Sequence, residues 1–281
     1  MFGANRANLY WVGSYDDEAN AFTPQSVTPE NKLTTASSAW PAPKRTDSSA
    51  YYSFNPHGTD TNGPNGATRR LVFGWVMGGT TTAVAAKAVP YWQSAHSMAR
   101  LLEVRGDALV QVPAPEVERL RVAGQHWVLG PTAVPNGGTV VAMGAHGPVV
   151  GDALELVATF RVAADAPANS SFGVAVRVGG NNTAAAAVGY RPSTRSMGVG
   201  ELRGASSVKL DWGADIAPQP GPPRTVELRI FLDRSVVEVF CGGAALTARC
   251  NLAAGADPVA AKGVELWAEG GADAQLVSLE A

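Results

Sequence analysis

Val226-Glu-Leu-Arg-Ile-Phe-Leu-Asp-Arg-Ser-Val-Val-Glu-Val-Phe-Cys-Gly-Gly-Ala-Ala-Leu-Thr-Ala-Arg249 is the stretch on which the fold turns. Val226, Leu228, Ile230 and Leu232 alternate with Glu227, Arg229 and Phe231, which puts one apolar face on a strand of period two. Asp233-Arg234-Ser235 turns the chain into Val236–Phe240, and Cys241-Gly-Gly-Ala244 turns it again into Ala245–Arg249, a three-stranded meander. A two-residue turn at Gly242-Gly243 sets Cys241 opposite Ala244 and leaves Cys250 several pairs away, so the hairpin carries no disulfide.

The same texture extends outward. Leu71–Val76, Leu109–Val112, Leu154–Val162, Phe172–Val178, Val264–Ala268 and Leu276–Leu279 read as further strands, and 31 Gly with 19 Pro punctuate them, so the chain is all-β. Pro115-Glu-Val-Glu-Arg-Leu-Arg121 is the one helical signal, with a first-turn proline, early acids and late arginines, and it reads as a connector. Before it the chain is aromatic and rich in loops, with His57–Gly66 as its longest turn cluster. After it the chain is rich in Val, Ala and Gly, the texture of a β-sandwich.

Composition excludes several classes. With 22 Lys+Arg against 24 Asp+Glu and no block of like charge, the sequence offers no footprint for nucleic acid or a polybasic membrane contact. No apolar run reaches the 18 or so residues of a spanning helix, and Met1–Asn8 lacks the pattern of a signal peptide, so as written the chain reads as soluble and untargeted. Two cysteines leave the compartment open. His57, His96, His126 and His146 stand apart from any second ligand at metal spacing, so neither metal nor other cofactor is expected.

Catalytic chemistry is hard to find. Sugar hydrolysis needs two carboxylates about the scissile bond. Asp16-Asp17-Glu18 reads as a solvated loop, Asp233 and Glu238 as structural, and Asp60-Thr-Asn-Gly-Pro-Asn-Gly66 as a flexible loop of the wrong order for a catalytic strand. There is no Gly-x-Ser-x-Gly elbow, phosphate loop or dinucleotide fingerprint. Asn169-Ser-Ser171 and Asn181-Asn-Thr183 fit the glycosylation sequon, which matters only in a secreted precursor.

Several stretches, in order, resemble the last part of family 32 glycoside hydrolases, the invertases and fructan hydrolases. They are Tyr10–Asp16 with Phe22-Thr-Pro24, Arg69-Arg-Leu-Val-Phe-Gly-Trp75, Tyr91-Trp-Gln-Ser-Ala-His-Ser-Met-Ala-Arg100, the linker Val112-Pro with Glu116–Arg121, and Leu228–Phe240 followed by Leu246–Arg249. The resemblance implies a partial five-bladed β-propeller of one to two blades over residues 1–104, a linker over 105–121 and a β-sandwich over 122–281. It implies a retaining hydrolysis, or transfer, of a fructosyl unit from sucrose or fructans. The family's nucleophile (Asn-Asp-Pro), transition-state Asp (Arg-Asp-Pro) and acid/base (Glu-Cys) belong to earlier blades. In this sequence no Glu precedes a Cys, and the sole Asp-Pro is Asp257-Pro258 after Ala256, so no catalytic residue carries over.

Trp75 matches a tryptophan lining the family's fructose subsite and is the substrate-binding candidate, whereas Arg100 is expected in a fold-stabilising ion pair. Tyr51-Tyr52 fall where the family has an Asp-Phe-Tyr-like segment, and the acid is absent here. Trp212, Trp267 and Tyr190, dispersed among apolar strands, read as core residues. The chain is accordingly expected to be inactive alone, with a missing propeller half as a pairing partner. The other reading is a non-catalytic β-sandwich module that binds carbohydrate or a protein.

Overall fold

The computed structural model describes residues 2–4, 7–24, 44–47, 51–60, 68–77, 94–106, 108–179, 186–202, 208–215, 224–250, 260–271 and 273–281. The sites at Tyr91–Gln93, Asn181–Thr183 and Asp257-Pro258 lie outside them, as does residues 61–66 of the turn cluster, and the side chains of His57 and Trp212 are likewise outside.

Five strands form an N-terminal sheet: β1 (Tyr51–Asp60), β2 (Arg69–Met77), β3 (Ser94–His96), β4 (Arg100–Arg105) and β5 (Ala108–Pro113). Their order is β5-β4-β2-β1, with β3 beside β2. The sequence reading made His57–Asp60 part of a turn cluster; they instead end β1, paired with Leu71, Arg70 and Arg69 across a register shift. Gly58 within that stretch weakens the strand pattern on paper, but the backbone pairing with β2 overrides it. Short antiparallel ribbons, Ala7–Tyr10 with Lys44–Arg45 and Gly13–Asp16 with Ala21–Pro24, precede this sheet.

A short helix, Pro115–Leu120, leads out of β5. It is 3-10 rather than α, entered from Ala114 without a side-chain cap, and its carboxylates are spent on tertiary ion pairs. Six residues gain too little from intrahelical bonds to hold an α-helix.

The rest is a two-sheet sandwich. Its middle sheet comprises β6 (Val128–Leu129), β7 (Thr132–Val134), β9 (Ala153–Arg161), β14 (Thr225–Asp233), β15 (Val236–Cys241), β16 (Ala244–Arg249) and β18 (Ala274–Glu280). The order is β6-β18-β9-β14-β15-β16, with β7 also on β18. Its outer sheet runs β8-β17-β10-β11-β12-β13, from β8 (Gly138–Val141), β10 (Ser171–Val178), β11 (Ala186–Arg191), β12 (Ser196–Leu202), β13 (Val208–Asp215) and β17 (Gly263–Glu269). Every pairing within these sheets is antiparallel.

The meander read from sequence is present, with Asp233 facing Val236 and Cys241 facing Ala244. Gly242 and Gly243 take φ of 55° and 87°, the left-handed pair that a two-residue turn demands and side chains resist. Leu156, Phe160, Leu228, Ile230 and Val239 from the middle sheet meet Val174, Val188 and Leu266 from the outer one in a continuous core. Trp267 and Tyr190 are buried, as read from sequence.

Among the strands not read from the sequence is β11, Ala-Ala-Val-Gly-Tyr-Arg, whose run of small residues gives no alternation. Tertiary packing explains its composition: a Cβ at Gly189 would stand 2.5 Å from the Trp267 indole, so the strand must be small there.

Candidate functional site

Three of the stretches that carry the family resemblance, those ending at Trp75, at Arg100 and at Arg249, each contribute residues to one buried junction between the N-terminal sheet and the middle sheet. On β15, Val237, Val239 and Cys241 face the sandwich core, while Val236, Glu238 and Phe240 face outward. That outward face is covered, since every residue of β15 is buried. The side of the strand that reads as polar in sequence therefore meets another layer of protein instead of water.

Arg100, fully buried on β4, occupies the centre. Its Nε and Nη2 donate to Glu238 Oε2 at 3.1 and 2.5 Å. Nη2 also donates to Thr247 Oγ1 at 2.6 Å, and Nη1 donates to Asp47 Oδ2 at 2.6 Å and to Gln111 Oε1 at 3.1 Å. A guanidinium has five N–H donors, and each has an acceptor here. The ring of Tyr51 lies 4.5 Å and that of Phe240 5.2 Å from Arg100 Cζ, so the cation also faces two π clouds.

The carboxylates are satisfied in turn. Glu238 Oε1 accepts the Met98 N–H at 2.6 Å, and Asp47 Oδ1 accepts the Thr247 N–H at 2.5 Å. Thr247 Oγ1 donates to Asp47 Oδ2 at 2.7 Å, and Gln111 Nε2 donates to the Thr46 carbonyl. Burial by itself would pull the Arg100 guanidinium down, but the charges of Asp47 and Glu238 hold it above its ordinary value. Burial pushes Glu238 up against the opposing pull of Arg100, and burial raises the Tyr51 phenol to about 12.

Ser97, in the same segment as Arg100, wires this junction to the neighbouring strand. Its Oγ accepts from the Gly74 N–H at 2.9 Å and donates to the Met98 carbonyl at 2.9 Å, while its own N–H reaches the Gly74 carbonyl. The Arg69–Trp75 stretch, the Ser97-to-Arg100 segment and the Glu238/Thr247 hairpin thus form one hydrogen-bonded unit. Arg100 behaves as the sequence reading expected. Asp47, Gln111 and Thr247 were missed, because a lone Asp, Gln or Thr has no local signal for a partner far away in the chain.

Trp75 is placed differently. It stands on the opposite face of β2 from the buried Val72 and Val76, is 44% exposed, and pairs in register with the exposed His96. It is therefore a surface aromatic, turned away from the sandwich. Asp16 accepts the Glu18 and Ala19 N–H groups at 3.0 and 2.9 Å, which makes the early acidic cluster a turn. Asp233 is exposed at a turn in which Arg234 takes φ of 49° and donates its N–H to the Asp152 carbonyl.

The 3-10 connector braces the junction from outside. Glu116 receives Arg69 of β2 at 2.5 Å, Glu118 receives Arg229 of β14 at 3.1 Å, and Arg121 grips Glu155 of β9 at 2.7 and 2.8 Å. Between β5, the connector and β14–β15 lies a cleft of about 340 Å³, bordered among others by Gln111, Glu118, Glu227, Arg229 and Cys241. Burial pushes the Cys241 and Cys250 thiols up to about 12, and both cysteines are free.

Comparison with known proteins matches this architecture. The chain is 33% identical over 184 residues to a levanase of Bacillus subtilis, an alignment covering 63% of this chain and 25% of that protein. It is 29% identical over 136 residues to a cell-wall β-fructofuranosidase of Pisum sativum, covering 48% and 21%. Among solved structures, fructan 1-exohydrolase IIa from Cichorium intybus superposes with a TM-score of 0.66 at 18% identity, over 99% of this chain and 55% of that one. Aspergillus kawachii β-fructofuranosidase gives 0.68 at 13% identity, over 98% and 50%. The chain thus spans about a quarter of the curated relatives' length and about half of the solved structures'. Residues 116–281, more than half of the chain, match the family model described as the C-terminal part of glycosyl hydrolases family 32, and the chain belongs to that family.

Proposed function

We propose that this chain is the C-terminal part of a β-fructofuranosidase-like glycoside hydrolase acting on sucrose or fructans, and that by itself it hydrolyses neither. The observation that carries this reading is the family match over residues 116–281, continued by a likeness of fold over 98–99% of the chain to about half of solved fructosidase structures. The carboxylates gathered at the junction support it as well. Retaining hydrolysis needs two carboxyl groups about 5–5.5 Å apart across the substrate. Glu238 and Asp47 are instead consumed by Arg100, and Glu118 and Glu155 by Arg229 and Arg121.

On this reading residues 1–104 are the end of a propeller, 105–121 the linker and 122–281 the sandwich. The missing propeller half would lie against the face of the N-terminal sheet that carries Trp75. There the exposed indole would contribute to a fructosyl subsite completed by that half.

The test is direct. The purified chain is incubated with sucrose and with inulin, alone and after refolding together with the catalytic half of a family 32 enzyme, and released fructose is measured. No release alone and measurable release from the mixture is the expected result, with Trp75→Ala raising KM in the mixture. Fructose released by the chain alone overturns its inactivity. A mixture as silent as its parts overturns the pairing, and inulin binding by the chain alone would favour a free-standing carbohydrate-binding module instead.

A further inference from the structure

The geometry points to the Arg100 cluster as an assembly lock: it makes the seating of the N-terminal sheet on the sandwich specific and all-or-none. This inference is independent of substrate and of catalytic state.

Three properties of the cluster lead there. It draws on segments far apart in the chain, with Arg100 bonded to Asp47 across 53 residues, to Glu238 across 138 and to Thr247 across 147. Every guanidinium donor is matched, so only one relative placement of the two sheets satisfies it. A slip of β4 by one residue would turn Arg100 to the opposite face and leave Asp47 and Glu238 buried together without a cation.

Among the described residues, the apolar seam around it is thin. Phe231, Phe240 and Ala245 meet Met98 and Val117 on one side of the cluster, and Tyr51, Val72 and Leu102 form a small group on the other. Apolar contact is non-directional and tolerates many placements, whereas a buried, fully bonded ion cluster tolerates one. Buried ion pairs are weak sources of net stability, because desolvation offsets their attraction, but breaking one partner is costly. A half-seated sheet would expose these charges to that cost without their partners. Seated and unseated states are therefore favoured over anything between.

The arrangement gives the sandwich a definite role. It fixes the attitude of β2 through Ser97 and Gly74, and so fixes the surface bearing Trp75.

The test uses the full chain and amide hydrogen exchange read segment by segment. In the wild type, β2 and β4 should exchange with protection equal to that of β15. In Glu238→Gln, which keeps the shape and removes one charge, β2 and β4 should lose at least tenfold in protection while β10 and β17 keep theirs. Thr247→Val, which removes only a hydroxyl, should show the same split more weakly and remains informative should Glu238→Gln fail to fold. A charge-free variant, Asp47→Leu/Arg100→Met/Glu238→Leu, should keep a melting midpoint near wild type yet show the same separate loss in β2 and β4. Protection falling equally in all strands, or unchanged in β2 and β4, overturns the lock, as does a charge-free variant whose exchange pattern is that of the wild type.

Discussion

The ring of Tyr51 lies directly over Gly74, so close that a Cβ on Gly74 would stand only 2.0 and 2.2 Å from ring carbons and 2.5 Å from the hydroxyl oxygen. Tyr51 on β1 and Gly74 on β2 are held this way because the phenol ring must also flank Arg100. Gly74→Ala should therefore displace the ring and cost about 1–3 kcal/mol, the usual range for overpacking a filled core. Urea denaturation monitored by circular dichroism checks this; an unchanged midpoint would show that the ring has room to move.

Arg100→Met should be more damaging. It leaves Asp47 and Glu238 buried against each other, and removing one partner of a buried ion pair costs about 3–5 kcal/mol. Arg100→Lys should recover only part of this, since one ammonium cannot reproduce the planar fork of five donors. Chemical denaturation of the two variants tests the order; a lysine variant as stable as wild type would refute it.

Both thiols should be silent in the folded chain. Cys241 and Cys250 are 5% and 3% exposed, and burial pushes both up to about 12, far above an ordinary thiol near 8.5. Iodoacetamide at pH 8 should label neither residue in the native chain and both in urea, as read by mass spectrometry. Native labelling of Cys241 would mean that the cleft it borders opens in solution.

Acid should weaken the brace formed by the connector. Burial pushes Glu155 upward, but its hydrogen bonds and charge contacts with Arg121 and Arg229 prevail and hold it below the ordinary value for a glutamate. A lowered carboxyl contributes stability that is present above the unfolded value, about 4.3, and lost as pH falls through the folded one. Melting temperatures from pH 7 to pH 3 should therefore fall more steeply below about pH 4.3 in wild type than in Glu155→Gln. Parallel curves would show that the pair contributes nothing measurable.

The sequence by itself determined the all-β class, the Val226–Arg249 meander and most sandwich strands, because a strand with one buried face writes its alternation into the chain. It also determined the family, several of whose motifs contribute residues to the Arg100 junction. Glu238, on the polar side of its strand, and Arg100, expected in an ion pair, were both legible as structural. Tertiary structure alone decided who those partners are. Asp47, Gln111 and Thr247 are ordinary residues until the fold brings them within hydrogen-bond reach of Arg100. It likewise decided that the polar side of β15 is buried, that Trp75 points away from the sandwich, and that the Gly- and Ala-rich β11 is a strand. In each case what covers a residue is set by chain segments distant in sequence, and local periodicity carries no record of them.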